Sequence, residues 1–268
     1  MNNMDNNLDS LEKPWYVWSK DKDYGEMLYK RATGELEEMQ SAKSFCQELA
    51  KIYEENMTIA DIGCGAGHYL LSLRKYIDEN INYTGIDATK DYLQHAKNAF
   101  PNTDFHLGDI YNLDFDDNSF DIVSCSNLLP YLPPPPAKAI SELLRISKRY
   151  TILRVLIGER NYIVKAIRNS DAGLETSLEN GLSYAEQEKT RFNYNNFFTK
   201  DFYAKLITKL EPNASFKFVA DDNWQTFDNS ELTTHTGTKV IAGKQVSGNL
   251  IFDWHYLIVN KTPKVKNA

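Results

Sequence analysis

A chain of 268 residues can bury a substantial core, and its net charge of -7 disfavours a long phosphate backbone as partner, because such binding rests on clustered Lys and Arg. It contains no apolar run near the roughly 18 residues of a membrane span. A protein working in water on a small molecule, with neither nucleic acid nor membrane as partner, is therefore expected. Cys46, Cys64 and Cys125 are odd in number and lack zinc-type spacing, so they read as free thiols in a reducing cytoplasm, with no metal site.

The start, Met1 to Asn7, has neither the basic residues nor the apolar stretch of a secretory signal, and reads as a polar tail. Pro14-Trp15-Tyr16-Val17-Trp18 is an aromatic lead into a helical pattern in which Leu36, Met39, Phe45, Leu49 and Ile52 recur at helix-like spacing. Residues 1–55 are expected to form a tail and a helical cap that either covers a pocket or packs against a sheet edge.

From Met57 short apolar runs alternate with amphipathic stretches, the pattern of parallel strands with helical crossovers. Strands are expected at Thr58–Ile62, Asn82–Asp87, Thr103–Leu107, Phe120–Cys125 and Tyr150–Ile157, with helices around Tyr69–Tyr76, Lys90–Asn98 and Ala137–Ser147. Pro133 to Pro136 is a stiff connector before the last of these. The stretch from Gly158 to Phe198, rich in Asn, Glu and Tyr, reads as a substrate-side insertion with one weak helical stretch after Asn161. Thr199 then caps a helix striped by Phe202, Leu206 and Leu210 and stopped by Pro212-Asn213. Strands Ser215–Ala220 and Leu250–Asn260 follow, and the connection between them carries Trp224, His235, Gly237, Gly243 and Gly248. Residues 56–268 thus read as one domain.

The strongest local signal is Asp61, Gly63, Gly65 and Gly67 between the first strand and its helix, where glycine allows unusual dihedrals and close approach of backbone to a ligand. Asp87 ends the second strand, where a carboxylate can accept from both ribose hydroxyls of an adenosine ligand. Gly108-Asp109-Ile110 follows the third, where Asp109 can accept from an adenine amino group and Ile110 can flank the ring. Each acidic residue also has a plainer reading as a helix cap or turn residue. Their order, each at a strand end, favours the adenosine ligand.

These segments resemble the class I S-adenosylmethionine-dependent methyltransferases over Ile59 to about Leu156. The first motif stands as Ile59-Ala60-Asp61-Ile62-Gly63-Cys64-Gly65-Ala66-Gly67, the second as Tyr83-Thr84-Gly85-Ile86-Asp87-Ala88 and the third as Phe105-His106-Leu107-Gly108-Asp109-Ile110. The fourth runs from Phe120 to Leu129 and is followed by Glu142-Leu143-Leu144-Arg145-Ile146. One departure is that the family's Pro-Gly-Gly-like turn is replaced by Ser147-Lys148-Arg149-Tyr150, on the far side of the sheet from the cofactor.

The resemblance implies a Rossmann-like, doubly wound α/β sheet of seven strands, mostly parallel with an antiparallel last strand and helices on both faces. It implies S-adenosylmethionine as cofactor and S-adenosylhomocysteine as product. Gly63 to Gly67 would hold the methionine moiety, with Asp61 near its amino group and Ser126 and Asn127 on the opposite side, while Asp87 and Ala88 border the ribose. A nicotinamide dehydrogenase is the competing use of such a fold, but its fingerprint wants a glycine where His68 stands.

Methyl transfer is an in-line displacement in which the protein mainly aligns the reactants, and a hydroxyl acceptor gains from a general base. His235, in the connection between the last two strands, is the first choice for that base. His68, bordering the glycine turn, is the second, although capping or packing there is its plainer role; His255, His95 and His106 read as structural. Arg154, Glu159, Arg160, Tyr162 and Lys165 at the exit of the fifth strand form a cationic rim suited to an anionic acceptor, or simply solvated charges. Tyr131 and Trp224 are expected walls of the substrate site.

The insertion and terminal strands resemble, more loosely, bacterial methyltransferases of capsule or lipopolysaccharide precursors. O-methylation of a small anionic acceptor is the expected function, with nitrogen as the alternative acceptor. A nucleic-acid or protein methyltransferase lacks support in a basic face or an Asn-Pro-Pro-Tyr-type motif. A non-catalytic, cofactor-binding partner subunit is opposed by the intact Gly63, Gly65, Gly67 and Asp87.

Overall fold

The computed structural model describes residues 22–167, 192–221, 239–241, 244–247 and 250–261. Trp224, His235, the aromatic stretch Pro14 to Trp18 and the glycines Gly237, Gly243 and Gly248 lie outside the described residues.

Two helices, α1 (Lys22–Ala32) and α2 (Gln40–Leu49), precede the alternating part of the chain. They are separate because Thr33 to Met39 forms a turn in which Gly34 has φ 80° and Leu36 is exposed, so Leu36 does not belong to the apolar stripe its spacing suggested. Then follow β1 (Thr58–Ile62), α3 (His68–Tyr76), β2 (Asn82–Asp87), α4 (Lys90–Ala99), β3 (Asp104–Leu107) and β4 (Phe120–Cys125). A 3-10 turn (Leu129–Tyr131) and α5 (Ala137–Ile146) lead into β5 (Ser147–Gly158).

The second half holds β6 (Tyr162–Ile167), β7 (Phe192–Phe197), α6 (Lys200–Leu210), β8 (Ser215–Ala220), β9 (Lys239–Ile241), β10 (Lys244–Ser247) and β11 (Leu250–Asn260). Thr199 caps α6, its hydroxyl accepting from the Phe202 N–H at 3.1 Å. Tyr203 and Ile207 are the residues of that helix that are fully buried, with Phe202, Leu206 and Leu210 packed beside them.

The sheet runs β3-β2-β1-β4-β5-β11, with β8 along one half of the far side of β11 and the β10-β9 hairpin along the other. Strands β1 to β5 pair in parallel, and β11 is antiparallel to both β5 and β8. The seven-stranded, doubly wound sheet with an antiparallel last strand is therefore present, extended by the two short strands β9 and β10. Strands this short carry no readable periodicity, so the sequence showed only a connection there.

Successive strand residues point to opposite faces. Ile59, Ile122, Ile152 and Tyr256 pack under α1 to α4, whereas Ala60, Val123, Leu153 and Leu257 pack under α5 and α6. Both faces of the sheet are covered, which leaves the carboxyl ends of the parallel strands as the place for a ligand.

Two further differences from expectation have local causes. Where the family's turn is missing, α5 passes directly into β5 at a fully buried Ser147, whose hydroxyl donates to the Tyr150 carbonyl at 2.9 Å, and pairing with β4 shifts register between Phe120 and Ile122. Tyr162–Ile167 is a strand rather than a weak helix, because its β-branched residues pair with the distant β7 in an antiparallel ribbon. His95 packs on Tyr29, His106 on Phe115, and His255 is buried in β11.

Candidate functional site

β1, β2 and β4 end at the same edge, and the glycine turn is tied across it. The N–H groups of Gly63 and Cys64 donate to the Ile86 carbonyl at 2.7 and 3.1 Å, and the Gly65 N–H donates to Asp87 Oδ2 at 2.8 Å. Gly63 has φ 81°, and a Cβ there would lie 2.7 Å from Leu128 Cδ2. Gly63→Ala is expected to destabilise the fold by about 1–3 kcal/mol, read as a lowered Tm, because it forces a side chain into the left-handed region and against β4's exit loop. Gly67, with φ 74°, opens α3.

A cavity lies over this turn. Asp61, Gly63, Gly65, Asp87, Ser126 and Asn127 line one part of it. Ile86, Ala88, Gly108, Ile110, Leu128 and Leu132 add its apolar lining. Tyr24 and Leu28 of α1 and Met39, before α2, cover it, none of which the motifs pointed to. The cap residues escaped notice because a helix face shows where it points only once its neighbours are known.

The Asp61 carboxylate accepts from the Tyr83 hydroxyl at 2.9 Å and the Ser124 hydroxyl at 3.0 Å. Burial pushes its pKa up to about 6 against the lowering effect of those two hydrogen bonds. Asp87 is also raised by burial, opposed by the N–H groups of Thr89 and Gly65. Its Oδ1 accepts from the Thr89 N–H at 2.8 Å. Ser126 Oγ is buried with no hydrogen-bond partner among the described residues.

His68 lies on the cavity wall as the first residue of α3. Burial first, and the charge of Arg31 second, push its pKa down to about 3, so it is neutral and a weak proton acceptor at neutral pH. Asp109 Oδ1 accepts from the Tyr111 N–H at 2.9 Å, and its neighbours Gly108 and Ile110 line the cavity.

Arg154 is not at the rim. It lies mid-strand in β5, 2 % exposed, with Nε donating to Asp221 Oδ2 at 2.8 Å, Nη2 2.7 Å from the same oxygen, and the guanidinium 3.9 Å above the Trp254 ring. Its Nη1 donates to Asn127 Oδ1, and Asn127 Nδ2 donates to the Tyr69 hydroxyl at 3.1 Å. These contacts fix the side chain of Asn127, whose backbone takes the left-handed region at φ 58°, a conformation that Asn adopts more readily than most residues with a side chain. Arg160 is exposed at the turn after β5, and Tyr131 packs with Leu156, Phe197, Phe252 and Trp254 rather than on the cavity. Burial pushes the Tyr131 hydroxyl up to about 12. Asp221 had no signal in the sequence, since only the pairing of β5, β11 and β8 brings it to Arg154. Among the described residues no group of His, Cys, Asp and Glu is placed to hold a metal ion.

Comparison with known proteins agrees with this geometry. A family model described as a methyltransferase domain matches residues 59–149. A probable methyltransferase of Aspergillus luteorubrus is 33% identical over 138 residues, covering 47% of this chain and 48% of its own length. The chain spans about half the length of the curated relatives it matches. The fold is similar to that of an S-adenosylmethionine-dependent methyltransferase, a possible histamine N-methyltransferase, from Thermotoga maritima, with a TM-score of 0.52, 16% identity and coverage of 92% of this chain and 99% of that one. It is similar as well to magnesium protoporphyrin IX methyltransferase from Synechocystis, solved with bound S-adenosylhomocysteine, with a TM-score of 0.51, 15% identity and coverage of 93% and 100%. Residues 59–149 are therefore similar to a methyltransferase domain, and the chain has the Rossmann-like fold of those solved methyltransferases.

Proposed function

We propose that this chain transfers a methyl group from S-adenosylmethionine to a small acceptor. The observation that carries the reading is the cavity itself, where a glycine turn too tight for a Cβ at Gly63, the Asp87 carboxylate and the unpartnered Ser126 hydroxyl meet at the ends of β1, β2 and β4. These groups fit the cofactor: Gly63 to Gly67 provide a close backbone for its amino-acid part, and Asp87 beside Ala88 an acceptor for its ribose. The apolar Gly108 and Ile110 suit its adenine, with Asp109 the proposed acceptor for the ring's amino group. Asp61 is assigned to its ammonium, and Ser126 and Asn127 to the opposite side. The sulfonium supplies the activated methyl carbon, so the protein has to bind, orient and exclude water.

Calorimetry with S-adenosylhomocysteine tests the cofactor reading, and absence of binding overturns it. Asp61 adds a pH signature. Folding raises its pKa from 3.8 to about 6, so the folded state holds this proton more tightly than the unfolded one. The stability that results is fully present below about pH 4 and is lost as pH rises through about 6. Asp61→Asn is expected to remove that fall from the Tm measured across this window. Affinity for S-adenosylhomocysteine is expected to strengthen over the same window as Asp61 ionises beside the ligand's ammonium.

For the acceptor we favour an oxygen on a small anionic molecule, in the class of surface-polysaccharide precursors. What supports an anionic acceptor is the exposed Arg160 and Lys165 beyond β5, not Arg154, whose charge is answered by Asp221. Segment 158–198 is the proposed acceptor-side insertion: β7 reaches the cavity border through Asn196, whose Nδ2 donates to the carbonyl of Leu132 at 2.7 Å. His235 remains the proposed base, since burial holds the pKa of His68 down to about 3 and leaves it a weak proton acceptor. A product methylated on nitrogen would overturn the O-methyl reading. Normal turnover of His235→Ala across the pH range would remove the base.

A further inference from the structure

Tyr24, Leu28 and Arg31 stand at i, i+4 and i+7 on α1, which is one stripe of a helix. The first two line the cavity, and Leu28 Cδ1 lies 3.0 Å from where a Cβ on Gly65 would be. Arg31 continues the stripe by one turn. Its Nε is buried and has no hydrogen-bond partner among the described residues. Of the acidic side chains near it in sequence, Glu35 accepts from the Thr33 hydroxyl, and Glu38 Oε2 accepts from Tyr76 with Lys75 3.6 Å away, while Glu38 Oε1 has no hydrogen-bond partner among the described residues.

His68 faces the same glycine, its Cε1 and Nδ1 lying 3.8 and 3.9 Å from that Cβ position, and its Nδ1 is likewise buried without a partner. Leu28, one turn before Arg31, packs on the same glycine as His68, and the charge of Arg31 depresses the proton affinity of His68. The carboxylates of the cavity are already committed, Asp61 to Tyr83 and Ser124, and Asp87 to Gly65 and Thr89. A guanidinium Nε and an imidazole Nδ1 left unpaired beside a ligand site suit an anion, because buried polar groups in folded proteins otherwise find partners.

We propose that Arg31 and His68 bind the α-carboxylate of the cofactor's amino-acid moiety, the guanidinium and the imidazole each donating a hydrogen bond. With Asp61 on the ammonium, the two ends of the zwitterion are then read by opposite charges from α1 and β1. This assignment rests on the cofactor reading above, and it makes α1 a part of the binding site instead of a cover alone.

The test is calorimetry on the full chain with S-adenosylhomocysteine and with its decarboxylated analogue, which keeps the amine and lacks the carboxylate. Arg31→Met is expected to weaken S-adenosylhomocysteine by about tenfold to a hundredfold while changing the analogue by less than about twofold. Arg31→Lys should recover part of the loss, and His68→Leu should weaken only the carboxylate ligand. Equal binding of S-adenosylhomocysteine to wild type and Arg31→Met overturns the assignment, as does an equal loss for both ligands. Wild-type protein that binds neither ligand sinks the cofactor reading and this one with it. If Arg31→Met proves unfolded by its thermal transition, Arg31→Lys and His68→Leu carry the same comparison.

Discussion

Asp221→Ala is expected to lower the unfolding free energy by about 3–5 kcal/mol, because it leaves the Arg154 guanidinium in the sheet without its counter-ion. Both side chains are 2% exposed and meet at 2.7 Å, so water cannot replace the lost partner. For a chain of this size the change corresponds to a fall in Tm of roughly 6–20 °C, and urea denaturation gives the free energy directly. Arg154→Met with Asp221→Leu should recover most of it, since a buried pair replaced whole by apolar groups is often neutral. A loss below about 1 kcal/mol in the single variant would show that the pair is solvated. The double variant also frees Asn127 Oδ1, so cofactor affinity should drop even where stability returns.

The second large effect is on binding. Asp87→Ala is expected to weaken S-adenosylhomocysteine by about 30-fold to a thousandfold, the equivalent of roughly 2–4 kcal/mol for charge-assisted hydrogen bonds to a carboxylate. Asp87 fixes the glycine turn through the Gly65 N–H, and in the proposed cofactor site it would also offer acceptors to the ribose hydroxyls. 5′-Methylthioadenosine, which keeps the ribose and lacks the amino acid, should lose as much as S-adenosylhomocysteine does. That response separates Asp87 from Arg31, whose loss is confined to ligands with a carboxylate. Unchanged affinity in Asp87→Ala would remove the ribose assignment.

The parallel half of the sheet could be read from the chain because its signals are local. Strands β1 to β3 are short apolar runs closed by glycine or aspartate, and the turn from Gly63 to Gly67 needs dihedrals that few residues tolerate. β9 and β10 are too short to show a period, and β6 has a neighbour that sequence spacing cannot indicate. Leu36 fitted a helical stripe by spacing alone, yet it falls in a turn, since Gly34 takes a positive φ where a continuous helix would have required α geometry.

The site divides along the same line. The glycine turn and the acidic ends of β1 and β2, on which the proposed adenosyl site rests, are legible in the chain because each depends on a few adjacent residues and their backbone demands. What surrounds them is set by packing. Arg154, expected at a substrate rim, is neutralised by Asp221 from 67 residues away, because β11 pairs with β5 on one side and β8 on the other. Arg31 and His68, ordinary residues on two helices, become an anion site only because α1 lies against the turn before α3. The reason is physical: a dihedral preference is a property of the residue, whereas a charge acquires its partner, and its function, from whatever packing brings within a few ångströms.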